Sequence, residues 1–204
     1  MFITLEGVEG SGKTTVAKAL VKILKDNDYD VICTREPGGN KIAESIRSII
    51  LDTTNTDMDA RTESLLYAAA RRQHLVDVIE PALKARKLVI CDRFIDSSIA
   101  YQGYARNIGP KLIEYINDFA IAGVRPDLTF LIDVKPEVGL KRINNDKSRE
   151  INRLDLEEID FHKSVYNGYQ QLAEKETNRV KVIDGERPVE KIVTDIYQII
   201  KSRL

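Results

Sequence analysis

Along the 204-residue chain, hydrophobic and polar positions alternate between two regimes. Short β-branched runs, "FITLE" at 2–6, "DVICT" at 30–34, "LVICD" at 88–92, "LTFLIDV" at 128–134 and "RVKVID" at 179–184, are nearly continuous in apolar residues. That is the pattern of strands covered on both faces. Between them the spacing becomes helical: Val16, Ala19, Leu20, Ile23 and Leu24 fall at i, i+3, i+4, i+7 and i+8, one stripe of a helix. The last helix opens at "RPVEKIV", where Pro188 suits a first turn, and runs towards Leu204. Strands alternating with helices predict right-handed crossovers and a five-stranded parallel sheet between helical layers, a three-layer α/β fold.

Two intervals differ from plain crossovers. Residues 35 to about 86 are too many for one connecting helix, and 142–155, "RINNDKSREINRLD", lack an apolar stripe. They are the expected substrate-binding insertion, largely helical, and a short lid. Within a helix expected over Asp59 to Glu80, the residues Leu65, Leu66, Ala69, Val76 and Ile79 should pack inward. Tyr67, Arg71 and His74 lie on another face at i, i+4 and i+7, an aromatic plane and a guanidinium that suit a heterocycle.

No repeat, low-complexity tract or linker divides the chain, and 43% hydrophobic content supports one core, so residues 1–204 are expected to form one domain. Lys+Arg number 31 against Asp+Glu 32, which leaves no basic surplus to attract nucleic acid, so any anion site must be built locally. No apolar segment of about 20 residues suggests a membrane span. Cys33 and Cys91 fall inside strand runs and are expected to be buried, reduced thiols of a cytoplasmic protein. Neither they nor His74 and His162 have zinc spacing.

Gly7, four residues, then Gly12-Lys13-Thr14 fit G-x-x-x-x-G-K-[ST] between an expected strand and an expected helix, the context of a P-loop NTPase. Backbone N–H groups from Gly7 through Val8, Glu9, Gly10, Ser11, Gly12 and Thr15 would curl around phosphates at the helix N-terminus. Lys13 would reach the β- and γ-phosphates, and Thr14 would take Mg2+. A nucleoside triphosphate is the first ligand implied. "NNDK" at 144–147 has the wrong order for a guanine-reading motif, and the chain is short for a helicase or large motor. "TREPGG" (34–39) and "CDRF" (91–94) follow the second and third strands and point at the same crevice, with Asp92 placed for Mg2+ and Arg93 for a second anion.

Taken together, "GVEGSGKTT", "TREPGG", "TESLLYAAARRQHL", "CDRFIDSSIAYQGYAR", "RPDLTFLIDVKPEVGLKR" and "NRLDLEEIDFH" resemble the bacterial thymidylate kinases, a branch of the P-loop nucleoside monophosphate kinases. The resemblance runs from the first strand to the final helix. It implies transfer of the γ-phosphoryl of ATP to dTMP, with Mg2+, by a homodimer assembled through helices near 41–51, 61–80 and 109–123.

It also implies roles. Tyr67 matches the position that stacks on thymine, usually Phe, and Arg71 the residue that meets its carbonyl edge. Ser98 and Gln102 match polar contacts to the base, Tyr101 the ring below the deoxyribose, and Pro37 of the Glu36-Pro37 pair a neighbour of the 5-methyl group. Arg47 and Arg93 match groups on the dTMP phosphate, and Glu9 a carboxylate near the acceptor sugar. Because the phosphate loop carries Glu9-Gly10-Ser11 and no arginine, the arginine at the transferring group must come from the lid, as Arg153 of "NRLD" or as Arg149. Arg142 matches a residue near the adenine. Two other readings stand beside this one: a kinase of another nucleotide or deoxynucleoside, and an ATP-binding regulatory module that transfers nothing.

Overall fold

The structure, a computed structural model, describes residues 1–145 and 152–204. Its sheet holds β1 (Phe2–Glu6), β2 (Val31–Arg35), β3 (Leu88–Asp92), β4 (Leu128–Asp133) and β5 (Val180–Asp184) in the order β2-β3-β1-β4-β5. All pairings are parallel, with Ile3 between Ile90 and Leu128. Every residue of central β1 is buried, which is why its apolar run is unbroken. β2 is an edge strand, and there the expectation of two buried cysteines fails: Cys91 on β3 is buried, whereas Cys33 is exposed. An edge strand has less cover, and a five-residue run does not encode its own place in the sheet.

Helix α1 (Lys13–Asp26) buries Val16, Ala17, Leu20 and Leu24. It packs against α9 (Val189–Lys201), whose Ile192, Val193, Ile196 and Ile200 form the facing stripe. Leu20 is fully buried, so Leu20→Ala should destabilise by about 2–5 kcal/mol.

The insertion holds α2 (Lys41–Leu51), α3 (Ala60–His74), a π-helical step at Leu75–Ile79 and α4 (Glu80–Lys84). The π-helical step falls just before Pro81, which has no N–H to give to a regular ladder. The inward face of α3 is not the one the apolar spacing predicts. Of the expected inward set, Ile79 is buried and Leu66 half-buried, but Leu65, Ala69 and Val76 are exposed, while Glu63, Arg71 and His74 are buried and Tyr67 is half-buried. The polar stripe lies inside because Arg71 and His74 meet a buried carboxylate from another element.

Beyond β3 come α5 (Ile95–Ser98), a π-helical segment at Ile99–Ala105, α6 (Pro110–Ile121), α7 (Pro136–Asn145), a 3-10 turn at Arg153–Leu156 and α8 (Ile159–Lys175). The π-helical segment and α8 touch at Gly168, where a Cβ would lie 2.9 Å from the Tyr104 ring and 3.1 Å from Ala100 Cα. That contact seats 99–105 at the mouth of the crevice beyond β1 and β3. Among the described residues, no helix is long and apolar enough to cross a membrane.

Candidate active site

The loop leaving β1 presses on α7. A Cβ on Gly10 would lie 2.1 Å from Gly139 O, and one on Gly139 would lie 2.2 Å from Glu9 O, so two backbones touch where only glycine fits. Gly12, at φ 91, starts α1 with no side chain capping it, which leaves the first-turn N–H groups to a ligand. Lys13 Nζ donates to Gly7 O at 3.0 Å, Val8 O at 2.8 Å and Ser11 Oγ at 3.1 Å. Burial, together with the Arg93 guanidinium, lowers the Lys13 ammonium to about 8. Thr14 Oγ1 donates to Asp92 Oδ2 at 2.7 Å, pairing the last motif residue with the end of β3.

Arg93 follows β3 in a left-handed conformation, φ 73, and the turn is held from β1: Phe94 N donates to Glu6 Oε1 at 2.7 Å. Its guanidinium donates to Gly7 O at 3.0 Å, Tyr169 OH at 3.1 Å and Glu9 Oε1 at 3.1 Å. Glu9 Oε1 also accepts from Tyr101 OH at 2.5 Å, and His162 Nδ1 stands 3.6 Å from Oε2. Burial alone would raise the Glu9 carboxyl, but Arg93, His162 and Lys13 hold it down at about 2. Arg47 reaches in from α2 and donates to Pro37 O at 2.9 Å.

Arg71 is saturated almost completely by protein. Nε donates to Glu36 Oε2 at 2.7 Å, Nη1 to Ser98 Oγ at 3.0 Å and to Asn117 Oδ1, and Nη2 to Phe94 O at 3.0 Å. Of five N–H groups, one on Nη2 has no partner among the described residues. Glu36 Oε1 lies 3.0 Å from His74 Nδ1, so one buried carboxylate anchors both residues of the helical stripe. Burial pushes the Tyr67 phenol up, keeping it neutral.

These groups border one cleft of about 500 Å³. From the phosphate loop it is lined by Glu9, Gly10, Gly12, Lys13, Thr14 and Thr15, and from the β3 end by Asp92 and Arg93. Glu36, Pro37, Arg47, Tyr67 and Arg71 line it from the insertion, and Ser98, Tyr101 and Gln102 from the segment after α5. Arg142 closes one end, donating to Gly185 O at 3.2 Å. Gly7, Val8 and Ser11 form the underside of the loop instead of the cleft surface, with the Val8 side chain in the core.

Arg153 is placed away from the cleft lining. It is buried, donates from Nε to Ile50 O at 3.0 Å and from Nη2 to Glu63 Oε2. The carboxylate of α3 has drawn the guanidinium into the wall, and its neighbours Asn152 and Leu154 face the cleft instead. Arg149 and the rest of 146–151, the centre of the expected lid, lie outside the described residues. Sequence reasoning missed Glu6 and Glu63. Glu63 had a signal, since it lies four and eight residues before Tyr67 and Arg71 on the same helical stripe; Glu6 looked like the end of a strand.

A family model described as thymidylate kinase matches residues 5–196. The chain is 57% identical to a thymidylate kinase of Clostridium novyi (strain NT), covering 98% of each chain. It is 56% identical to a thymidylate kinase of Halalkalibacterium halodurans over 100% of this chain and 97% of that one. Among solved structures it resembles the thymidylate kinase of Ehrlichia chaffeensis, with a TM-score of 0.78, 36% identity and 98% of each chain covered. With near-complete coverage in both directions and a sheet and cleft that agree, the chain belongs to the thymidylate kinase family.

Proposed function

We propose that this cleft holds ATP and dTMP in line and passes the γ-phosphoryl group from one to the other, giving ADP and dTDP. The observation that carries the reading is that one cleft joins the phosphate loop to a second pair of cations, Arg47 and Arg93, and to a recess walled by Tyr67 and Arg71. An oxygen of the dTMP phosphate attacks the γ-phosphorus. As that P–O bond forms, the bond to the bridging oxygen breaks and its electron pair leaves on ADP. The attacking oxygen is already anionic near neutral pH, so the chain needs no strong base and contributes position and positive charge.

Lys13, now on Gly7 O and Val8 O, exchanges those carbonyls for oxygens of the β- and γ-phosphates. Arg142 takes the adenine end. Arg47 and Arg93 hold the acceptor phosphate, and the Glu9 carboxylate braces Arg93 and Tyr101 beneath the sugar. Tyr67 stacks on the base, Pro37 meets its methyl group, and Ser98, Gln102 and the last Arg71 N–H meet its polar edge. The paired Thr14 hydroxyl and Asp92 carboxylate are hard oxygen donors of the kind Mg2+ takes, and these two residues would hold it. When bound, the ion neutralises charge on the phosphates. The arginine at the transferring group is Arg149 or Arg153; Arg153 reaches it only by leaving Glu63. ATP and reduced thiols fit a cytoplasmic setting.

A second copy of the chain completes the molecule in this reading. Ile42 and Ile49 on α2, Leu65 on α3 with Val76 just beyond it, and Leu112, Tyr115 and Phe119 on α6 are all exposed. The three α6 residues fall at i, i+3 and i+7, a stripe left uncovered by the described residues of the monomer.

The test is ADP formation from ATP and Mg2+ with dTMP, dUMP, AMP, CMP, GMP or thymidine as acceptor. Strong turnover with dTMP is expected. Preference for another acceptor, or ATP hydrolysis independent of any, overturns the reading.

A further inference from the structure

Glu63 begins the stripe that carries Tyr67 and Arg71 and is completely buried. Its Oε1 accepts from Gln102 Nε2 at 2.7 Å, and its Oε2 accepts from Arg106 Nη2 at 3.2 Å and from Arg153 Nη2. With two guanidinium groups donating to Oε2 and an amide to Oε1, the carboxylate faces all of these neighbours as an acceptor. That restricts Gln102. An amide can turn either corner towards a neighbour, but here a reversed amide would set its carbonyl against a carboxylate oxygen at 2.7 Å, two acceptors with no proton between them.

The NH2 corner is thus committed to Glu63. No described group donates to Gln102 Oε1, and Gln102 lines the cleft, so the carbonyl is the corner left for a ligand. Across the recess Arg71 offers a donor, its remaining Nη2 hydrogen. The pocket therefore presents one acceptor and one donor in a fixed arrangement. A pyrimidine with a ring N–H beside a carbonyl, thymine or uracil, matches it. Cytosine carries an unprotonated ring nitrogen beside an exocyclic amine, and it meets acceptor with acceptor and donor with donor.

We propose that Glu63 is a positioning residue that sets the base specificity of the acceptor site by locking the Gln102 amide, and so rejects cytosine nucleotides. This rests on the dTMP reading above.

The test compares kcat/KM for dTMP and dCMP in wild type and Glu63→Gln. A glutamine at 63 can donate as well as accept, which lets the Gln102 amide turn round. The dTMP-to-dCMP ratio should fall by about tenfold or more, since a site built for one hydrogen-bond pattern discriminates far more strongly than shape does. A merely structural brace would slow both acceptors equally, so an unchanged ratio overturns the proposal. Should Glu63→Gln not fold, Gln102→Met removes the amide directly: the ratio must then collapse, and its retention equally overturns the proposal. Absence of wild-type turnover with dTMP would overturn the underlying reading and this inference with it, whereas turnover with an unmoved ratio removes this inference alone.

Discussion

Glu6 offers the sharpest check on the electrostatics of the cleft floor. It ends β1 fully buried, with Phe94 N on Oε1 at 2.7 Å and with Ser97 Oγ at 2.6 Å and Tyr169 OH at 2.9 Å on Oε2. Burial, aided by the nearby Asp96 carboxylate, raises this acid from the usual 4.5 to about 7. The folded chain then holds the proton over a window in which the unfolded chain has lost it, so this group makes stability fall as pH rises from about 4.5 to 7. Integrated from pH 5 to pH 8, the loss is about 2–3 kcal/mol.

Glu6→Gln removes the titration and keeps the shape. The amide oxygen can accept from Phe94 N–H, and the NH2 can face the Ser97 and Tyr169 hydroxyls, which rotate to accept. Urea unfolding followed by circular dichroism at pH 5, 6, 7 and 8 gives the difference between variant and wild type at each pH. Titrating groups that do not interact with Glu6 cancel in that difference. It should move in favour of the variant by about 2–3 kcal/mol across the range. A difference flat within about 0.5 kcal/mol, or one of opposite sign, would refute the reasoning and mean that Glu6 is ionised in the folded chain.

Lys13 is held near 8 in the ligand-free loop, so ATP binding at pH 8.5 should take up a proton, read by calorimetry in buffers of different ionisation enthalpy; no uptake would contradict the burial argument. Glu36→Ala leaves the Arg71 guanidinium buried without its carboxylate and should cost about 3–5 kcal/mol, lowering Tm by roughly 10 °C, with a raised KM for dTMP in whatever folds. Arg153→Ala strips a cation from Glu63 and should destabilise by a similar amount, about 3–5 kcal/mol; a collapsed kcat at full stability would choose this residue over Arg149 at the transferring phosphoryl. Sedimentation should show a dimer, and Phe119→Asp, altering a side chain that is 89% exposed in the monomer, should yield monomers of unchanged Tm at low concentration; a monomeric wild type removes the second-copy reading.

What the sequence made legible was whatever is written locally. A strand covered on both faces produces an unbroken apolar run, and all five were readable to within a residue at each end. The phosphate loop is eight contiguous residues whose spacing reflects backbone geometry, so Gly7 to Thr14 could be read without knowing what lies opposite. The face of α3 was misread for the complementary reason. Apolar spacing selects Leu65, Leu66, Ala69, Val76 and Ile79, of which only Ile79 is fully buried, because the side that turns inward is chosen by Glu36, which is distant in sequence and satisfies Arg71 and His74. Cys33 was misplaced because its strand's position at the sheet edge is decided by the order of all five strands.

Glu6 and Glu63, which escaped the sequence, share one physical feature with Glu9 and Glu36, whose partners escaped it. Among the described residues, the buried glutamates are Glu6, Glu9, Glu36 and Glu63, and each accepts hydrogen bonds from groups at the cleft. Glu6 fixes the turn after Arg93, Glu9 holds Arg93 itself, Glu36 holds Arg71, and Glu63 holds Gln102 with Arg153. Their partners lie 88, 84, 35, 39 and 90 residues away, respectively, far outside any window that periodicity can see. The buried ion pairs among these, at Glu9, Glu36 and Glu63, add little net stability over an apolar core of the same volume, because desolvation offsets the attraction. What they add is geometry, since a carboxylate with two oxygens accepts from defined directions and fixes rotamers that apolar packing would leave loose. A cleft that must aim two arginines at a phosphate and an amide at a base has reason to keep such pairs despite their small contribution to stability, and the chain that encodes them shows only scattered glutamates.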